Sequence, residues 1–170
     1  MSNATSERKK LFIVCPDGTL IDADPLYTES LSIQVAYRFE NVVKLKTKSN
    51  SDTINKVVDF CKGRAKLKND FADDPETLKH KLNNFNSQFR QQNQSRFAID
   101  LYIAAFNLEI GSLVDGMWEA VDSAFKDMNA DEAYEILPVN LKKFDNDRYT
   151  HSLMLDHLLH DCEWAFQAIK

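Results

Sequence analysis

An α/β fold with a short sheet and a helical majority is what this chain predicts, and three observations predict it. Residues 11–15 form a short apolar, β-branched run, broken by Pro16-Asp17-Gly18 and resumed at Thr19-Leu20-Ile21. Proline presets one φ of a tight turn and glycine accepts a positive one, so the two runs read as a β-hairpin. Val42-Val43-Lys44-Leu45 is a second short strand. Residues 95–127 carry the rest: a nearly all-apolar stretch over 97–106, with Asp100 its one charge, and then an amphipathic one. A helix apolar on almost every side must be buried on almost every side.

The elements follow in order. The first ten residues are polar and charged, which reads as a flexible tail without a secretory signal. After the hairpin, residues 24–39 carry a broken helical pattern opened by Asp24-Pro25. Beyond the strand at 42–45, residues 49–52 offer N-cap oxygens, and Ile54, Val57, Val58 and Cys61 then recur at helical spacing. Residues 63–84 mix lysines, arginine and aspartates and read as a solvated, mobile loop. Phe85 and Phe89 anchor the chain again.

Two helices follow, joined by a corner at 107–111, where Gly111 is expected to make the bend. In the second, Leu113, Val114, Met117, Trp118, Val121, Ala124 and Phe125 share one side, with Asp115, Glu119, Asp122 and Lys126 opposite. Asn129 and Asp131 cap a short acidic helix that ends before Pro138. The last helix, 149–169, is apolar on one face through Leu155, Leu158, Leu159, Cys162, Phe166 and Ile169. Leu153, His157, His160 and Trp164 project from the other face. A tryptophan there either folds back into the core or anchors a protein partner, and the pattern alone leaves both open.

Composition excludes several classes. With 170 residues, the chain is expected to hold one domain, or one domain with an extension. A net charge of −5 argues against a general nucleic-acid binder, which would be basic. No apolar run is long enough to span a bilayer, so no membrane partner is expected. Cys15, Cys61 and Cys162 are odd in number and lie among apolar neighbours, which suits reduced thiols in the cytosol or nucleus. No phosphate loop, nucleophile elbow or dinucleotide fingerprint occurs. His157 and His160 stand one turn apart, but Cys162 points away from them, so no metal and no cofactor is expected. Asp22 and Asp24 read as turn and cap residues, and no catalysis is expected.

Ala104-Ala105-Phe106-Asn107-Leu108-Glu109-Ile110, followed by Leu113-Val114-Asp115, resembles the signature segment of the Skp1 family of ubiquitin-ligase adaptors. That family usually reads Ala-Ala-Asn-Tyr-Leu-Asp-Ile and then Leu-Leu-Asp. Val57-Val58-Asp59-Phe60-Cys61 is similar to the family's Val-Ile-Gln-Trp-Cys, and Trp164 stands where it ends in Trp-Cys-Glu-Glu, with Ala165 in place of the cysteine. The resemblance implies a BTB/POZ domain over 11–127 and F-box-binding helices over 128–170. It implies a non-catalytic adaptor that bridges an F-box protein and a cullin. A cullin-independent, self-assembling protein that dimerises through the BTB face is the alternative. A metal- or ligand-binding module on the last helix is a third reading. Carried over position by position, the F-box contacts are Ile99, Val114, Trp118, Val121, Phe125 and Trp164. The cullin-facing residues are Val43, Leu45, Phe106 and Asn107. Trp118 replaces a smaller cysteine of the family, which implies a different choice of F-box sequences.

Overall fold

The computed structural model describes residues 9–129 and 131–132. Strand β1, Lys10–Val14, lies at the centre of a three-stranded sheet of order β2-β1-β3. β2, Leu20–Asp22, is antiparallel to it, and β3, Val42–Lys46, is parallel. The turn between β1 and β2 is made as the sequence expects. Gly18 has φ +85°, its N–H donates to the Cys15 carbonyl at 2.9 Å, and the Asp17 carboxylate accepts from the Thr19 N–H at 2.9 Å. Alternation along the strands sends Leu11, Ile13, Ile21 and Val43 into the core.

The broken pattern after β2 resolves into a 3-10 turn, Asp24–Thr28, and the short helix α1, Leu31–Ala36. Asp24 makes no capping bond here, since Ala23 is the N-cap; its carboxylate instead accepts from the Leu11 N–H at 2.7 Å and so clamps this turn to β1. Beyond β3 come α2 (Ser51–Asp70), α3 (Pro75–Gln92), α4 (Arg96–Asn107) and α5 (Gly111–Lys126). The Asn50 side chain caps α2 by accepting from the Thr53 N–H at 2.9 Å.

The stretch 63–84 is not a loop. α2 continues through it to Asp70, α3 begins at Pro75, and only four residues lie between the two helices. The Asp74 carboxylate accepts from the Thr77 N–H at 3.1 Å, and Pro75 occupies the first turn, where its missing N–H costs nothing. Leu78, Leu82, Phe85 and Phe89 keep a helical stripe that dense charge conceals in a composition-based reading. Phe85 and Phe89 close on Phe60 of α2 with ring centroids 5.7 and 5.0 Å away. Gly63 makes this approach possible: a Cβ there would stand 2.4 Å from the Phe85 ring.

α4 is the buried rod. Ala98, Ile99, Leu101, Tyr102, Ala104 and Ala105 are all buried, and α2 and α5 flank it. Asp100 is half-buried, and burial raises its carboxyl above the ordinary value against the opposing charge of Arg96. The corner after α4 turns at Glu109, with φ +55°, and not at Gly111, which is the first residue of α5 and has open space around it. Beyond α5, the Asn129 side chain accepts from the Glu132 N–H at 2.9 Å, and the Glu132 carboxylate accepts from the Asn129 N–H at 3.1 Å. This is a reciprocal cap. The expected helices at 131–137 and 149–169, with Cys162, His157, His160 and Trp164, lie outside the described residues beyond Glu132.

Candidate functional site

The candidate site is the corner between α4 and α5 with the ridge that α5 carries away from it. Three backbone bonds close the corner: Leu108 N–H to the Ala104 carbonyl at 3.0 Å, Glu109 N–H to Phe106 at 3.1 Å, and Ile110 N–H to Ala105 at 2.9 Å. Ile110 is fully buried and pins the turn to the core. The Ser30 hydroxyl, itself buried, donates to the Leu108 carbonyl at 2.8 Å while capping α1. A carbonyl freed by the end of α4 thus finds its partner on a segment 78 residues earlier.

Beside it lies a polar cluster that sequence reading missed. One oxygen of Glu29 accepts from the Arg64 guanidinium at 3.1 Å and from the Lys68 ammonium at 2.6 Å. The other accepts from the Ser112 hydroxyl at 2.8 Å. The Glu29 side chain is only 5% exposed. Burial pushes its carboxyl up, but the bonds from Lys68 and Ser112 and the charges of Arg64 and Lys68 outweigh it and hold the group below its ordinary value. Arg64 also donates to the Asn86 side chain at 3.0 Å, which brings α3 into the same network. The signal was present in the chain: Arg64 and Lys68 continue the face of α2 that buries Val57, Phe60 and Cys61. The Cys61 thiol, deep beside this cluster, is pushed up to about 12 by burial and then by the charge of Glu29, although Arg64 and Lys68 oppose this. Such a thiol is a packing group and not a nucleophile.

The structure divides the expected F-box contacts. Ile99, Val121 and Phe125 are 3%, 0% and 1% exposed. They lie in the chain's own core, so little of their surface is open in the described structure. The reason is periodic: Leu113, Met117, Val121 and Phe125 recur at helical spacing and all lie in the buried cluster. Val114 and Trp118 are half-buried, with the Trp118 indole edge-on to Tyr102 at 5.6 Å between centroids. Trp164 lies outside the described residues.

The expected cullin-facing residues divide in the same way. Val43 is 4% exposed and is a core residue of the sheet. Leu45 and Phe106 are half-buried, and Asn107 is exposed at the end of α4.

No protein-family model matches the chain, and no curated protein matches it. Among the described residues, no helix is long and apolar enough to cross a membrane, and no group of His, Cys, Asp and Glu is placed to hold a metal. A groove of about 600 Å³ opens where α2, α3 and the start of α5 meet. Arg64 and Arg90 on its wall are already engaged, with Glu29 and with Glu119. The residues brought together here hold α2, α3 and the start of α5 to the amino-terminal turn.

Proposed function

We propose that this chain is a non-catalytic adaptor related to the Skp1 family, built on a BTB/POZ-type domain, that holds an F-box protein for a ubiquitin ligase. The observation that carries this reading is the corner at 104–115. The segment that resembles the family's signature spans a helix end, a tight turn and a helix start. Its turn residue, Glu109, has φ +55°. The family has aspartate at that position, and aspartate is among the residues best tolerated with positive φ. The order of a hairpin, a third strand parallel to the first, and a layer of helices adds support.

On this reading Val114 and Trp118, half-buried, supply the open part of the F-box surface among the described residues, and the resemblance adds Trp164. Cullin contact rests on Phe106, Asn107 and Leu45. A self-assembling protein without cullin is the second reading, favoured by the exposure of Val35 and Phe39, which are 43% and 82% exposed. Pull-down of the full chain with an F-box peptide and with a cullin amino-terminal domain separates the two. Capture of the F-box peptide, weakened by about 2 kcal/mol in Trp164→Ala, is the expected result. Capture of neither, with a dimer in sedimentation, would replace the adaptor reading with self-assembly.

A further inference from the structure

The sheet ends at β3, and no strand pairs with its outer side among the described residues. The hydrogen bonds at its two ends fix which residues face outward. The Asn41 carbonyl accepts from the Lys10 N–H at 2.9 Å, and the Thr47 N–H donates to the Val14 carbonyl at 3.1 Å. Bonding direction alternates along a strand, so residues 43 and 45 also turn to β1. Val42, Lys44 and Lys46 therefore direct their N–H and C=O groups away from the sheet.

The side chains on this edge are open as well. Val42 is 51% exposed, and Lys44 and Lys46 are exposed on the same face. Lys10, next on that face, is paired with Asp22 and Asp24 at 3.3 and 3.1 Å. Lys44 and Lys46 join no ion pair among the described residues, in a chain whose net charge is −5.

We propose that the outer edge of β3 docks an extended acidic segment of a partner protein, which joins the sheet as a fourth strand. Backbone bonds to residues 42, 44 and 46 supply the affinity, and side chains opposite them supply the choice. The fitting pattern places acidic residues against Lys44 and Lys46 and an apolar one against Val42. A second copy is a poor occupant. Antiparallel pairing of β3 with itself about Lys44 sets lysine against lysine, and like charges directly opposite are destabilising. Lysines on an edge also repel unselected strands, so the same residues that exclude most partners select an acidic one. This edge is separate from the α5 ridge, and its failure would leave the adaptor reading untouched.

The test uses the full chain and a capped peptide, Thr-Glu-Thr-Glu-Thr-Val-Thr, which presents that pattern in the antiparallel direction. Saturable slowing of amide exchange at Lys44 and Lys46 is expected. Lys44→Glu with Lys46→Glu should weaken binding about tenfold and transfer it to the peptide with lysine in place of glutamate. Lys44→Pro should abolish binding while leaving the bonds to β1 intact, since proline is tolerated where a strand N–H faces solvent. A peptide N-methylated at the residue opposite Lys44 removes the other bond of the same residue pair, the one donated to the Lys44 carbonyl, without altering the protein. Binding that survives N-methylation, protection elsewhere on the chain, or no protection at all overturns the proposal. So does a protein dimer through β3.

Discussion

Replacing Glu29 by glutamine tests the network that joins the amino-terminal turn to α2 and α5. The change keeps the shape of the side chain and removes its charge. Arg64, with its side chain 11% exposed, then keeps a cation with no carboxylate beside it, and Lys68, 39% exposed, is largely rescued by water. A hydrogen bond to a charged group contributes about 1.5–3 kcal/mol, and an exposed pair under about 1 kcal/mol. The Arg64 bond therefore dominates, and Glu29→Gln should cost about 2 kcal/mol at neutral pH. Glu29→Ala also removes the acceptor for Ser112 and should cost about 4 kcal/mol.

The pH dependence has a fixed sign. The folded carboxyl titrates below its ordinary value, so its contribution is complete above the unfolded value of about 4.3. It is lost as pH falls through the lower folded value. Glutamine has no such titration. Urea unfolding of both proteins across pH 7 to about pH 3 should show a gap that shrinks on acidification, because the other carboxylates are common to both chains. A gap that stays constant with pH, or that is under about 0.5 kcal/mol at neutral pH, would refute the reasoning.

Gly63→Ala should destabilise the pair α2–α3 despite a helix-propensity gain of about 1 kcal/mol. The new methyl meets the Phe85 ring at 2.4 Å, and that ring is braced by Phe60 and Phe89. A net loss of about 1–2 kcal/mol in urea unfolding is expected. Glu109→Gly should raise stability by about 0.5–1 kcal/mol, because glycine adopts a φ of +55° without strain, and a lowered melting temperature would contradict this. Asp100→Asn should stabilise the chain at neutral pH. A carboxyl raised in the folded state favours folding below its unfolded value and loses that advantage as pH rises through the folded one. The gain in melting temperature should therefore vanish near pH 3.

Local signals carried much of the fold. Pro16-Asp17-Gly18, the period-two strand at Val42–Lys46 and the apolar run before Asn107 each have a short-range cause, and each formed its element. The reading failed where charge density hid periodicity. Four cations in residues 62–68 suggest solvent, yet Arg64 is turned inward by Glu29, a partner 35 residues earlier that no local pattern can reveal. The corner shows a similar limit, since its left-handed residue is fixed by the buried Leu108 and Ile110 on either side and not by the nearest glycine. Among the candidate site residues, helical spacing places Val114, Trp118, Val121 and Phe125 on one side of α5, yet Val121 and Phe125 are buried and the other two half-buried. Which of them stay open is set by where α4 lies, and one helix read alone does not contain that.

Ser30 and Glu29 bind groups that are synthesised about eighty residues after them. Until the ribosome has released Leu108 and Ser112, the Ser30 hydroxyl and the second Glu29 oxygen lack their partners on that later segment, while Arg64 and Lys68 already reach the first oxygen. A chain cut after α3 would lack both contacts, and they close only once the start of α5 has been made.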